Sequence, residues 1–271
     1  MDIAAYFEPL DYAEDKFNQD KSCIGNAVTF HRSGGSFPEL NGIDIAFIGV
    51  TENRGAINNS GCSEASAPVR EKFYTLRKWN YPYRIADLGN LKSGLELKDT
   101  YAALATVVSE LVKENILPVI VGGSQDLTYG QYLAFVNLQQ TTNIAAIDCN
   151  FDLGRTEEKL TAATYLGKII LHEPNYLFNF SNIGYQSYFT GYESVELMKK
   201  LFFDVYRLGE VQSNIEEVEP IVRNADILSF DISSVRQSDA PANANATPNG
   251  FYGEEVCRIA RYAGISDKLS T

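Results

Sequence analysis

Short runs of aliphatic residues alternate along this chain with segments in which apolar residues recur every three or four positions. The run from Ile43 to Val50 (IDIAFIGV) is almost entirely apolar and is followed by a loop rich in glycine, asparagine and serine. Such a run predicts a strand that is buried on both faces. Shorter runs predict further strands at residues 116–121, 143–147, 168–171, 182–185 and 226–232.

Helical periodicity occupies the intervals between these runs. A helix from Lys98 to Glu114 would place on one face Leu104, Val107, Val108 and Leu111. Further helices are predicted at about 67–78, 127–138, 192–203, 215–224 and 253–262. Because strands alternate with helices, the sequence predicts an α/β fold, a three-layer sandwich with a mostly parallel central sheet.

Composition narrows the class of protein further. The 271 residues contain no repeat and no linker-like segment, so we expect a single domain spanning residues 1–271. The net charge is −12 and the cations are scattered, which argues against a nucleic-acid partner. No apolar run approaches the roughly 20 residues of a membrane helix, so no membrane partner is expected. The acidic N-terminus lacks a signal peptide's apolar segment, which predicts a cytoplasmic protein with reduced cysteines.

The polar residues that follow the predicted strands are the candidate chemistry. In parallel sheets, ligands bind beyond the carboxyl ends of the strands. Asp148, Asn150 and Asp152 alternate after one strand, and side chains two positions apart in an extended chain point the same way. On that pattern Cys149 should point away from them, into the core.

Three of the polar segments resemble motifs of the ureohydrolase family, which includes arginase, agmatinase and formimidoylglutamase. Residues 122–126 read GGSQD, 148–152 read DCNFD, and 229–233 read SFDIS. The family has Gly-Gly-Asp-His-Ser, Asp-Ala-His-x-Asp and Ser-x-Asp-x-Asp, in the same order. Weaker matches occur at 67–70, 240–241 and 247–250, so the resemblance covers roughly residues 43–265 and implies an arginase-like fold.

The resemblance also implies a metal site with altered ligands. In the family, six side chains hold two manganese ions, and a bridging hydroxide attacks a guanidino or imino carbon. Carried over residue by residue, the retained ligand positions are Asp148, Asp152 and Asp231, and the substituted ones are Gln125, Asn150 and Ser233. Both imidazoles are gone, so we expect either no metal or one weakly bound divalent ion.

Several neighbouring residues have competing interpretations. Ser124 or Asp126 is expected to cap the following helix, although Asp126 could be a replacement ligand. Three carboxylates without metal would repel one another, so we hypothesise that Arg236 or Arg155 replaces the lost cations. In the segments expected to set specificity, 51–66 and 155–164, Arg54 could meet a carboxylate. The two histidines, His31 and His172, match no motif and are expected to be structural.

Three functions remain open from the sequence. The first is a non-catalytic family member with a degraded dinuclear site. The second is a formimidoylglutamase-like hydrolase of a guanidino or formimino compound that uses one weakly held ion. The third, an unrelated nucleotide-binding protein, is disfavoured because neither GxGxxG nor GxxxxGK[ST] occurs. The resemblance also implies that the family's C-terminal end is lacking after Thr271, and it leaves open a homo-oligomer.

Overall fold

The computed structural model describes residues 2–11, 20–155 and 159–271. They form two compact units, of which one comprises Met1–Arg54, Ser60–Ser124 and Ser270–Thr271, and the other Gly55–Asn59 and Gln125–Leu269. Each unit has its own sheet of mostly parallel strands together with helices. The predicted α/β class with mostly parallel strands is therefore confirmed, whereas the single domain over 1–271 stays a prediction.

The first unit contains a five-stranded sheet. Its strands are β1 (Phe7–Glu8), β2 (Val28–Phe30), β3 (Ile45–Val50), β4 (Ile85–Leu91) and β5 (Leu117–Val121). Along the sheet the order is β1-β4-β3-β5, with β2 also paired to β4, and only β1 runs antiparallel. The helices of this unit are α1 (Ser66–Tyr74) and α2 (Leu97–Lys113). The apolar face predicted for α2 is buried, which explains why the periodicity of apolar residues predicted this helix.

The start of α2 provides a test of local helix stability. The backbone N–H of Glu96 donates to Asp99 Oδ2 over 2.9 Å in a capping box. We expect Asp99→Ala to lower the free energy of unfolding by about 0.5–1 kcal/mol, because an N–H at the helix start loses its acceptor. Urea denaturation followed by circular dichroism measures this change. Lys98→Ala, at an exposed neighbouring position, is the control, and equal losses in the two variants would contradict the capping role.

The second unit contains a four-stranded parallel sheet. Its strands are β6 (Thr142–Ile147), β7 (Leu177–Tyr185), β8 (Asp204–Arg207) and β9 (Ile227–Phe230). They lie in the order β8-β7-β6-β9. The helices of this unit are α3 (Leu127–Leu138), α4 (Tyr165–Ile170), α5 (Tyr192–Lys200), α6 (Leu208–Ser213), α7 (Val218–Arg223) and α8 (Gly253–Gly264). Within the described ranges, no helix is both long enough and apolar enough to cross a membrane.

A hydrophobic core holds this sheet against its helices. Ile147 of β6 and Ile183 of β7 lie in one buried cluster with Val211 of α6, Val222 of α7 and Ile259 of α8. Burying each of these side chains contributes roughly 1.5–3 kcal/mol. The cluster therefore holds the carboxyl ends of β6 and β7 in place, and the candidate site follows directly from those ends.

Some sequence-based elements are wrong. Residues 168–171 were predicted to be a strand but lie mostly in α4, because Tyr165, Leu166 and Ile169 are buried at helical spacing. The strands β4 and β8 were not predicted. Glycine and polar residues interrupt the apolar run of β4, and β8 is only four residues long. The helix expected at 215–224 is a 3-10 turn followed by the short α7.

Candidate functional site

The three aspartates at the retained positions come together in the second unit. Ile147, the last residue of β6, is in register with Phe230, the last residue of β9, so that Asp148 and Asp231 follow neighbouring strand ends. The backbone N–H of Asp231 donates to the Ile147 carbonyl over 3.0 Å. Asp152, four residues past Asp148, has a left-handed φ of 51°, a conformation that aspartate tolerates better than most residues. Adjacent strands and one local turn therefore build the cluster.

These carboxylates act strongly on one another. Burial, followed by the nearby Asp231, raises the pKa of Asp148 from 3.8 to about 7. Burial and the charge of Asp148 hold the pKa of Asp152 well above its usual range, and burial also raises that of Asp231. Asp148 and Asp152 share a side-chain hydrogen bond that lowers the pKa of Asp148 and raises that of Asp152, so Asp152 is the donor. The cluster thus retains a proton near neutral pH.

Gln125 lies against this cluster. Its Nε2 is 3.4 Å from both the Tyr165 hydroxyl and the Ser229 hydroxyl, and its side chain also hydrogen-bonds Asp148. Its Oε1 is buried and has no partner among the described residues, and the same is true of Asp148 Oδ2. The amide therefore occupies the place where the family resemblance puts a histidine, and two buried oxygen acceptors remain unsatisfied beside it.

Asn150 and Ser233 contribute mainly through their backbones. The Asn150 N–H donates to Asp148 Oδ1 over 2.8 Å, and the Ser233 N–H donates to Asp231 Oδ1 over 2.7 Å. The Asn150 side-chain nitrogen lies 3.4 Å from Cys149 Sγ. Asn150 and Ser233 thus each support a carboxylate from the main chain, Ser233 also through its side chain, and these bonds keep the pKa of that carboxylate lower than burial alone would.

The expectation for Cys149 is confirmed in one part and wrong in the other. Its thiol is buried as expected, but it does not point away from the cluster, since Sγ lies 3.8 Å from Ser233 Oγ, and burial together with the charge of Asp148 raises its pKa. The reason is that β6 ends at Ile147 and the chain bends at Cys149 and Asn150. The alternation of side chains holds only in an extended segment. Asp148 and Asp152 therefore meet through a turn and not through strand geometry.

Sequence reasoning assigned no role to several polar residues that line the cluster. Tyr165 is 1% exposed, and burial together with the three carboxylates raises the pKa of its hydroxyl. Ser229 and Thr128 share a hydrogen bond of 2.7 Å next to Gln125. The spacing of Ser229 two positions before Asp231 was the available signal, whereas Tyr165 lay in a segment with no motif.

Asp126, Arg236 and Arg155 had competing interpretations, and the structure bears on the first two. Asp126 occupies the N-cap position of α3, but its side chain makes no capping bond there. Arg236 pairs with Asp239 at 2.9 Å and lies over the Tyr252 ring, so the hypothesis that it replaces the cations is wrong. For Arg155 the hypothesis stays a prediction, and residues 156–158 of the expected specificity segment lie outside the described residues.

The remaining cation and the histidines have structural partners. Arg54 Nε lies 2.9 Å from Glu52 Oε1, and its Nη1 and Nη2 donate to the carbonyls of Leu95 and Gly94, so it holds a loop and does not offer a guanidinium to a ligand. His31 Nδ1 lies 3.0 Å from the Leu88 carbonyl. His172 contacts Tyr129 and Tyr132 in the second unit.

The donor set suits the implied pair of manganese ions poorly. Two divalent cations carry four positive charges, and three carboxylates offer at most three negative ones. Amide and hydroxyl oxygens are weak ligands for first-row transition metals compared with imidazole. In the described part of the chain, no group of three or more His, Cys, Asp or Glu side chains has an arrangement that could hold a metal ion. The unsatisfied oxygens of Asp148 and Gln125 match a single hard cation better than a pair.

Comparison with known proteins places this chain in a family. A sequence profile described as the arginase family matches residues 43–270. A formimidoylglutamase of Staphylococcus aureus strain MRSA252 is 27% identical over 232 residues, covering 82% of this chain and 73% of that protein. The crystal structure of formimidoylglutamase from Bacillus subtilis superposes with a TM-score of 0.79 at 17% identity, covering 96% of this chain and 84% of that one.

A second solved structure agrees on the fold. It is that of Trypanosoma cruzi formiminoglutamase with Mn²⁺, which matches with a TM-score of 0.74 at 15% identity over 87% of this chain and 85% of that one. At such identities the structural likeness establishes the arginase fold and nothing finer, whereas the profile match spans most of the sequence. This chain belongs to the arginase family and is similar to its formimidoylglutamases.

Proposed function

We propose that this chain is an arginase-family protein that has lost the two-metal centre and does not carry out the ordinary ureohydrolase reaction. The observation that carries the proposal is the replacement of both imidazoles by the amides of Gln125 and Asn150, with Ser233 in place of a carboxylate. Imidazole is a good neutral ligand for first-row transition metals, and amides are not. We infer a role in binding a ligand or partner, for which the fold is retained.

The chemistry that the ordinary reaction requires supports this proposal. The ordinary reaction depends on a metal that lowers the pKa of its bound water to about 7. Without that effect, hydroxide is scarce at neutral pH, and the described side chains that act on the three aspartates include no histidine that could serve as a general base.

Metal content and turnover test this function directly. The purified protein, after incubation with manganese and desalting, is analysed for bound metal. It is then assayed for release of urea, ammonia or formamide from arginine, agmatine and formimidoylglutamate. We expect substoichiometric manganese and no turnover above a protein-free blank. Two manganese ions per chain together with turnover of any of these compounds would refute the proposal.

Restoring the missing ligands is the complementary prediction. The variant Gln125→His, Asn150→His and Ser233→Asp regains the family's donor set, so we expect its manganese affinity to rise by at least about 100-fold. Isothermal titration calorimetry measures this change. The control carries two histidines at exposed amides outside the three motif segments, Asn214→His and Gln237→His. Equal gains in both variants would show that added imidazoles bind manganese wherever they are placed.

A second candidate function is favoured by the two unsatisfied oxygens. Asp148 Oδ2 and Gln125 Oε1 are buried without partners, and oxygen ligands suit magnesium or calcium. With one such ion, the chain would be a formimidoylglutamase-like hydrolase of a linear amidine. The similarity to the Staphylococcus aureus formimidoylglutamase supports that substrate class.

The two candidates differ in a measurable way. If one ion is bound, titration with magnesium, calcium or manganese should show one site per chain, raise the melting temperature, and allow release of formamide from formimidoylglutamate. The variant Asp148→Asn should abolish all three effects. An ion that binds and stabilises without turnover leaves the non-catalytic function in place, and turnover with a single ion replaces it with the second candidate.

A further inference from the structure

A cavity lies at the ends of the strands β6, β7 and β8 opposite to the aspartate cluster. Its volume is about 430 Å³, and it lies against the first residues of β6, β7 and β8, below α7. Two of the lining side chains from the sheet, Ala145 and Ser181, are small, whereas Ile147 and Ile183, two residues further along the same strands, fill the core. Ile221 and Pro220 of α7 form the other wall. The volume falls within the range of roughly 300–1,000 Å³ that is typical of small-molecule sites.

Buried polar groups in this cavity lack partners. Ser181 is only 7% exposed, and its hydroxyl makes no hydrogen bond within the described residues. Asn143 Oδ1 is buried and unsatisfied, although the nitrogen of the same amide donates to the Asn224 carbonyl. An unsatisfied buried acceptor costs about 1–3 kcal/mol, so a donor supplied by a ligand would be favourable at this point.

Two carboxylates without cationic partners also line the cavity. Asp204 accepts a 2.9 Å hydrogen bond from Asn179, and neither Asp204 nor Glu217 forms an ion pair within the described residues. After burial, the charges of both carboxylates raise the pKa of Tyr206, which places them around the same ring. No lysine or arginine is among the described lining residues. The cavity is therefore rich in acceptors and negatively charged.

We propose that this cavity is a binding site for a small aliphatic ammonium ion. The ammonium group would donate to Asp204 and Glu217, and the hydrocarbon part would lie against Ala145 and Ile221. The space is many times larger than a single metal ion, and one wall is apolar, so an organic cation fits better than a bare divalent one. The proposal goes beyond the proposed function and does not depend on it, since the cavity shares no residue with the aspartate cluster.

Titration of the full chain with n-butylamine, monitored by amide NMR shifts, tests the site. n-Butanol, which has the same hydrocarbon part without the charge, is the matched neutral probe. We expect saturable shifts with butylamine at β6, β7, β8 and α7, and weaker or no saturation with butanol. The double variant Asp204→Asn and Glu217→Gln keeps the side-chain shapes and should weaken butylamine binding at least about tenfold, because charged hydrogen bonds are lost.

Control variants keep the result interpretable. Glu219→Gln removes a carboxylate of α7 that pairs with Arg223 and does not line the cavity, so its affinity for butylamine should match that of the natural sequence. If the double variant fails to fold, Glu217→Gln alone, at an exposed position, should still weaken binding. Equal binding of butylamine and butanol, equal loss in Glu219→Gln, or shifts confined to residues 148–152 would each overturn the proposal.

Discussion

Replacing Arg70 with methionine is expected to destabilise the protein by about 3–5 kcal/mol, because it leaves the carboxylate of Asp87 buried without its cation. Arg70 is 1% exposed and Asp87 is fully buried. The guanidinium binds both carboxylate oxygens, with Nε 2.8 Å from Oδ2 and Nη2 3.0 Å from Oδ1. Tyr74 also donates to Oδ2, over 2.5 Å, so the arginine, the tyrosine and the carboxylate form one network inside the first unit.

Chemical denaturation measures this loss, and two variants show where it arises. Adding Asp87→Asn to Arg70→Met removes the unpaired charge and should recover part of the stability. Arg236→Met breaks a more exposed ion pair with Asp239 and should cost less than about 1 kcal/mol. A loss below about 1 kcal/mol in Arg70→Met would show that Asp87 reaches water or a proton without the arginine.

The second large effect is expected at Asp148, where replacement by asparagine should stabilise the metal-free protein at pH 8. Burial and Asp231 raise the pKa of Asp148 from 3.8 to about 7, so ionising it in the folded state is unfavourable. Each pKa unit corresponds to about 1.4 kcal/mol, which gives a gain on the order of 2–4 kcal/mol. Asparagine removes this cost, and its Oδ1 still accepts the bond from the Asn150 N–H.

The pH dependence follows from the direction of the shift. Between the unfolded pKa of about 3.9 and the folded value, the folded state holds a proton that the unfolded state has released. The contribution of Asp148 to stability is therefore complete below about pH 4 and is lost as the pH rises to about 7. Above that window it remains low, so the variant should differ most from the natural sequence at alkaline pH.

Thermal melts of the two proteins at several pH values check this prediction. Asp267→Asn, at an exposed position, should leave the profile unchanged. Asp148→Asn that destabilises the metal-free protein at pH 8 would contradict the prediction.

The spacing of apolar and polar residues along the chain predicts much of the fold. The aliphatic run of β3 and the apolar face of α2 were predicted because burial on two faces and burial on one helical face leave distinct periodicities. The four-residue strand β8 has no such run, and α4 is six residues long, too short for its helical spacing to be separated from that of a strand. Length therefore limited the prediction at these two elements, whereas glycine and polar residues concealed the seven-residue strand β4.

The residues of the candidate site could be identified from the sequence, but their arrangement could not. The order and spacing of the three motifs identified Asp148, Asp152 and Asp231 together with the three residues at substituted positions. The sequence by itself therefore determined which donor atoms are present and that no imidazole is among them. The donor atoms could be predicted from the sequence because each residue type carries its own donor atoms.

Only the tertiary structure decided how those atoms meet. Asp148 and Asp231 become neighbours because β6 and β9 pair, although other strands and helices separate them along the chain. Asp152 reaches Asp148 through a bend, which also brings the thiol of Cys149 to Ser233. The size of the pKa shifts in these carboxylates depends on their burial. Burial also leaves Asn143 Oδ1, at the other end of the sheet, without a hydrogen-bond donor among the described residues. Strand pairing and desolvation arise from contacts between distant residues, which a local pattern of apolar and polar positions does not encode.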